Sequence, residues 1–175
     1  MKPYVNAKLL TNVYYAIVYP FLLYGIAIWG NASYDLISSI YLQQKRFVRM
    51  ATGNTTINNF GALAHTPPLF YKMNIMNIFD IYKFQLGILI YESINNIGPI
   101  NSIINYSRAD EIHQHNTRYA HRGNFYINRT RTTRYGIKSI LVEGAKLWNT
   151  IPTYINEKQS KMTFKSSLKK LLIHV

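Results

Sequence analysis

The chain has no cysteine, which excludes a disulfide framework and thiolate metal sites. Acidic residues are scarce: 7 Asp and Glu stand against 20 Lys and Arg. The aspartates are Asp35, Asp80 and Asp110, and the glutamates Glu92, Glu111, Glu143 and Glu157. Two-metal phosphoryl transfer needs carboxylates converging on ions about 3.5–4 Å apart. There is no adjacent Asp pair, and the one acidic doublet, Asp110-Glu111, falls in a basic stretch. No Gly-rich phosphate loop of either common spacing occurs, and no Ser, His and acid set suggests a nucleophile. Ile112 is followed by His113-x-His115, with His121 nearby, but these lack acidic or thiolate companions and read as polar loop histidines. The sequence therefore assigns no catalytic residue, no metal ligand and no cofactor.

A compact apolar signal segment is also missing at the N-terminus. The longest uncharged apolar run, residues 13–29, is short of the ~20 residues of a spanning helix and is interrupted by Pro20 and Gly25. A buried helix broken near Pro20 accounts for it better than a membrane anchor, which is kept as the alternative. Absence of cysteine fits a cytoplasmic or nuclear setting.

What is present is apolar residues, 48% of 175, enough for a core. The net charge of +13 points to a polyanionic partner. Helical periodicity dominates, so the fold class is mainly α, with at most short strands. Residues 7–29 read as helix, bent or divided at Pro20. Gly30-Asn31 stops it, and Ser33 or Asp35 starts the next helix, 35–51, with Leu36, Ile40, Phe47, Val48 and Ala51 on its apolar stripe. Residues 60–63 form a short turn and 65–68 an extended connector, because residues before proline avoid helix. Residues 74–95 form a strong helix, with Ile75, Ile78, Phe79, Tyr82, Leu86, Leu89 and Ile90 recurring at helical spacing.

From about Asn101 the chain turns polar and basic. Phe125–Ile127 and Tyr135–Ile137 read as short strands. A helix from Ser139 ends before Pro152, and Thr163 is the expected N-cap of a last helix carrying Phe164, Leu168, Leu171 and Leu172. The expected organisation is a helical lobe at 5–99, a basic Arg-rich connector at 100–136 and a smaller helical extension at 137–173.

Candidate binding residues follow from charge and aromatics. Seven basic residues lie between Arg108 and Lys138, six of them arginine, although lysines outnumber arginines elsewhere. Arg118, Arg122, Arg129, Arg131, Arg134 and Lys138, interleaved with Tyr119, Phe125, Tyr126 and Tyr135, have the composition of a surface that grips phosphates and stacks bases. Lys45, Arg46 and Arg49 form a second basic group. Lys161, Lys165, Lys169 and Lys170 form a third, whose simplest reading is solubility. Tyr24, Trp29 and Trp148, in apolar helical surroundings, read as core residues.

Several short words recur in order: Tyr24-Gly25 with Trp29-Gly30, Gln44-Lys45-Arg46, Pro68-Leu69-Phe70, Asn116-Thr117-Arg118, Leu147-Trp148-Asn149 with Pro152, and Phe164-Lys165. Together they resemble the segment after the polymerase palm in reverse transcriptases of jockey-like, LINE-type non-LTR retrotransposons. The resemblance covers residues 9–173. It implies a helical thumb-like lobe that holds template-primer, RNA or DNA, through the sugar-phosphate backbone, followed by a C-terminal extension. In the intact parent the partner would include the element RNA. It also implies that the catalytic palm and the fingers are not in this chain, so the expectation is a non-catalytic fragment of an RNA-directed DNA polymerase.

Overall fold

The computed structural model describes residues 6–53, 65–97, 105–112, 123–158 and 160–174. It is mainly helical, and among the described residues the only bridge between extended segments joins Arg108 to Phe125. No helix of the described residues is long and apolar enough to cross a membrane.

The opening helical stretch is divided into three. Helix α1 (Ala7–Val13) is capped by the Asn6 side chain, which accepts from Lys8 N–H. It runs into a wide π-turn, Tyr14–Val18, closed by Tyr19 N–H donating to the Tyr14 carbonyl. The widened turn lies just ahead of Pro20, which has no N–H to offer the previous turn and sits in the first turn of α2 (Tyr19–Leu23). The chain then breaks at Tyr24-Gly25, whose dihedrals of −62°, 113° and 62°, 13° are those of a type II turn. That turn needs positive φ at its third position, which glycine supplies. Trp29 Nε1–H donates to the Tyr24 carbonyl at 2.7 Å and fastens the turn to α3 (Ile26–Trp29). Gly30 follows because a Cβ there would stand 2.5 Å from both the Ile26 carbonyl and the Tyr82 ring.

Helix α4 (Tyr34–Thr52) starts after Ser33 and ends at Gly53, which takes the left-handed conformation. Its buried stripe is Ile37, Gln44, Val48 and Ala51. Leu36, expected on that stripe, is 65% exposed; it lies about 100° round the helix from Ile37. Helix α5 (Pro67–Lys72) replaces the expected extended connector. Thr66 adopts a helical conformation despite preceding a proline, and Pro67 and Pro68 occupy first-turn positions, where a missing N–H costs nothing. Helix α6 (Ile78–Ile94) begins later than the expected residue 74. Asn77 caps it, accepting from Asp80 N–H at 3.1 Å. Ile78, Ile81, Phe84, Leu86, Ile88, Ile90 and Tyr91 are all buried, so α6 is apolar nearly all round, while Phe79, Tyr82 and Leu89 are only half-buried.

The chain folds as two compact units, Met1–Tyr82 with Leu171–Val175, and Lys83–Lys170, so the division falls inside α6. Packing groups the second half of α6 with what composition had separated as a connector and an extension.

The core of the first unit gathers Tyr14, Val48, Ala51, Leu69, Phe70, Met73 and Ile75. Tyr14 stacks on Phe47 at 5.3 Å, and Tyr15 donates its hydroxyl to the Asn74 carbonyl at 2.6 Å. Each buried side chain of this size contributes about 1.5–3 kcal/mol. Beside this core, Leu9, Val13, Ile17, Phe21, Tyr24 and Ile28 recur every three or four residues along α1–α3 and are exposed. Tyr24, expected in the core, is 85% exposed, because the turn that Gly25 permits directs it outward.

The second unit is built on a run of ring contacts. Tyr106 stacks on Phe125 at 5.0 Å, Phe125 on Trp148 at 5.9 Å, and Phe164 lies 5.8 Å from Trp148 and 4.4 Å from Tyr91. Such pairs add about 0.5–1.5 kcal/mol each beyond the area they bury. Helix α7 (Ala109–Ile112) lies between the two residues of the bridge, and the expected strand at 135–137 is instead a π-turn, Thr133–Ile137. The expected strand at 125–127 is reduced to the single bridge at Phe125, with no neighbouring strand among the described residues to extend it. Helix α8 (Ile140–Thr150) starts after Ser139 and ends before Pro152 as expected, and the Ser139 side chain caps it, accepting from Val142 N–H. Helix α9 (Thr153–Asn156) was not foreseen. Helix α10 (Lys161–His174) begins ahead of Thr163, whose hydroxyl donates back to the Ser160 carbonyl at 2.8 Å from within the helix. The turn expected at 60–63 lies outside the described residues.

Candidate nucleic-acid interface

Several words that carry the resemblance are packing devices. Gln44 is buried, although it adjoins two basic residues. Its Nε2 donates to the Tyr14 hydroxyl at 2.9 Å, and its Oε1 accepts from Ile78 N–H at 2.8 Å. Asn149 forms a two-way pair with one backbone residue: Oδ1 accepts from Phe125 N–H at 2.8 Å and Nδ2 donates to the Phe125 carbonyl at 3.0 Å. Leu69, Phe70, Trp148 and Phe164 are core residues. Trp29 is half-buried. Asn116-Thr117-Arg118 lies outside the described residues.

The basic group on α4 is the best defined. With Gln44, Val48 and Ala51 turned to the core, Arg46 stands on the opposite side of the same helix, and Lys45, half-buried, and Arg49 lie between that side and the buried stripe. Lys45 Nζ sits 4.2 Å from the centre of the Tyr41 ring, a cation–π contact that orients the ammonium. Arg46 is exposed and Arg49 half-buried.

The Arg-rich middle is described in part. Arg129 and Arg131 are exposed and Lys138 is half-buried at the end of the π-turn. Arg134 lies on that turn, with its side chain outside what is described, and Arg118, Arg122, Tyr119 and the three histidines of 113–121 also fall outside. Of the aromatics interleaved there, Phe125 is buried in the ring run rather than open to a base. Tyr126 is half-buried. In the lysine tail, Lys161 pairs with Glu92.

Three of the described carboxylates, Glu111, Asp80 and Glu143, are tied to local structure. Glu111, in the first turn of α7, accepts from Arg108 N–H at 3.1 Å, one half of a capping box. Asp80 receives the Asn77 amide at the start of α6, and Glu143 pairs with Lys146 at 3.0 Å. No group of three or more His, Asp or Glu side chains that would hold a metal occurs among the described residues.

One feature escaped sequence reading. A cleft of about 310 Å³ is lined by Lys8 and its neighbours Thr11 and Asn12 on α1, by Thr52 at the end of α4, and by Lys72 and Met73 at the end of α5. No acidic side chain lines it. Its residues come from three separated segments, so no local pattern marks it.

Tyrosine ionisation in the first unit is shifted by the packing around it. Burial raises the Tyr14 hydroxyl well above its ordinary value, against a smaller lowering by its bond to Gln44. Burial, reinforced by nearby Tyr15, pushes Tyr19 up to about 12.

No protein-family model, curated protein or solved structure matches this chain.

Proposed function

We propose that this chain is a non-catalytic nucleic-acid-binding module, corresponding to the thumb and C-terminal extension of a non-LTR retrotransposon reverse transcriptase. The reading rests on one observation above the others. Helix α4 uses one side to build the core and holds Lys45, Arg46 and Arg49 off that buried stripe, in a chain of net charge +13. A helix fixed on one side and basic away from it binds a phosphate backbone by charge, with little sequence preference. Exposed Arg129 and Arg131 in the second unit supply further cations of the type suited to phosphate. Parentage rests on the ordered words of the sequence.

The test is binding of the purified chain to an RNA–DNA primer-template duplex across a salt series. Each phosphate neutralised contributes about −0.7 to −0.9 to the log–log slope. A steep slope that becomes shallower in K45Q/R46Q/R49Q, and separately in R118Q/R129Q/R131Q/R134Q, is the expected result. Weak binding that ignores both sets of changes would sink the proposal.

A second reading is favoured by the apolar side chains exposed along α1–α3: an incomplete relic whose apolar surface lacks its covering domain. Concentration-dependent aggregation without cooperative unfolding is its signature. A monodisperse chain that unfolds cooperatively argues against it.

A further inference from the structure

We infer that the cleft between α1, the end of α4 and the end of α5 is a phosphodiester subsite, continuous with the basic side of α4. The inference rests on the nucleic-acid reading above and names where the backbone of the bound strand leaves the helix. Lys8 and Lys72 reach the same cleft from different helices, and both are exposed. Neither forms an ion pair with a described residue, and no carboxylate lines the cleft to neutralise them. Two ammonium groups on one concave, acid-free surface favour a bound anion.

The polar groups between them sort by hydrogen-bonding capacity. Thr11 donates its hydroxyl to the Ala7 carbonyl at 2.9 Å, and Thr52 donates to the Val48 carbonyl at 2.8 Å. With their protons committed to the helices, these hydroxyls have lone pairs left and can only accept. The Asn12 amide is exposed and keeps its two donor hydrogens. The set comprises cations and an amide for phosphate oxygens, and hydroxyl acceptors for a sugar hydroxyl. A nucleotide backbone presents both chemistries, whereas free phosphate presents one.

Position supports a polymer. Lys45, Arg49 and Thr52 stand at i, i+4 and i+7 on α4, one face of the helix, and Thr52 belongs to the cleft. The distance along the axis from Lys45 to Thr52 is about 10 Å, room for successive phosphates of one strand. Met73 and the stems of the lysines give the cleft an apolar lining.

The experiment compares the full chain with K8Q/K72Q and with K45Q/R46Q/R49Q, using a fluorescein-labelled single-stranded RNA 12-mer over a KCl series. Both lysines are exposed, so the double variant keeps its fold, which far-ultraviolet circular dichroism and thermal unfolding check. The expected loss of slope in K8Q/K72Q is about 1.4, the value for two phosphates of a single strand. Backbone amide resonances of Asn12 and Thr52 should move with the RNA in the parent chain and stay still in the double variant. An unchanged slope in K8Q/K72Q, with loss in the α4 variant, overturns the cleft and leaves the nucleic-acid reading standing. Absence of RNA binding by the parent chain overturns both. Inorganic phosphate at constant ionic strength separates the two sources of anion. If it moves the Asn12 and Thr52 resonances while RNA still binds with its full slope, the cleft takes free phosphate, and the polymer subsite fails.

Discussion

Gln44, in the middle of α4, caps a helix 34 residues further along the chain: its Oε1 accepts the N–H of Ile78, the first residue of α6. The opening N–H groups of a helix have no partner inside it. Asn77 serves one of them locally, and Gln44 serves another from a distance. Because the same amide also holds the Tyr14 hydroxyl, one buried side chain ties the π-turn, α4 and α6 of the first unit. Gln44→Ala should destabilise the first unit by about 1–3 kcal/mol, since it leaves a buried N–H unpaired. Urea unfolding followed by Tyr14-dependent near-ultraviolet signals measures it. A loss under about 0.5 kcal/mol would show that the bond is dispensable.

Asn149 does for the second unit what a neighbouring strand would do for Phe125. Its amide presents one acceptor and one donor to a single residue's backbone, the pattern of a two-bond strand pair. Asn149→Asp keeps the acceptor and loses the donor, while Asn149→Ala loses both. The expected order of stability is parent, Asp variant, Ala variant, with a total cost of about 1–3 kcal/mol. Trp148 fluorescence reports it, because freeing Phe125 disturbs the ring stacked on that indole.

Gly144 lies inside α8, where alanine would ordinarily be preferred by about 1 kcal/mol. Here a Cβ would collide with the Tyr106 hydroxyl, which donates to the Ile140 carbonyl at 3.1 Å. Gly144→Ala should therefore destabilise by about 1–3 kcal/mol. In a Tyr106→Phe background part of that cost should vanish, because the colliding oxygen is gone. A double-mutant cycle with no coupling would refute the contact.

Alkaline pH acts on the tyrosine cluster. Tyr14, Tyr15 and Tyr19 all have hydroxyls raised above the ordinary value near 10, with burial the first cause in each. The folded chain then holds protons that the unfolded chain has released, so stability falls as pH rises above about 10. Below pH 9 these groups contribute no pH dependence. Between pH 10 and about 12, Tyr19 contributes a slope of at most about 1.4 kcal/mol per pH unit, reduced by solvent screening of its partly exposed ring. Tyr19→Phe should flatten the decline in that window without changing it near neutrality. An equal slope in parent and variant would mean Tyr19 ionises as freely in the fold as outside it.

The legible part of the fold was what local chemistry dictates. Gly30 and Ser139 marked real helix boundaries, Pro20 lay just after a π-turn, and the α-dominated class followed from periodicity. The errors share a cause, in that tertiary contacts overrode local preference. Pro67 and Pro68 were read as breakers because the residue before proline avoids helix, yet they start α5. Leu36 was assigned to the buried stripe, but Gln44, a polar residue, is what packs there. The candidate basic residues on α4 were legible because helical spacing separates them from the stripe. The Lys8–Lys72 cleft was not, since neither residue has a local companion that distinguishes it from any surface lysine.

The ring run of the second unit has a kinetic corollary. Tyr91 stacks on Phe164, and its hydroxyl reaches the Lys158 carbonyl, 67 positions away in the chain. Helical proteins usually fold fast because their contacts are short in sequence. Here the last helix must return to α6 before the run can close, and that closure costs chain entropy before any stacking rewards it. A chain still emerging from synthesis can stack Tyr106, Phe125 and Trp148 on one another, but Tyr91 gains its ring contact with Phe164 only when that residue arrives.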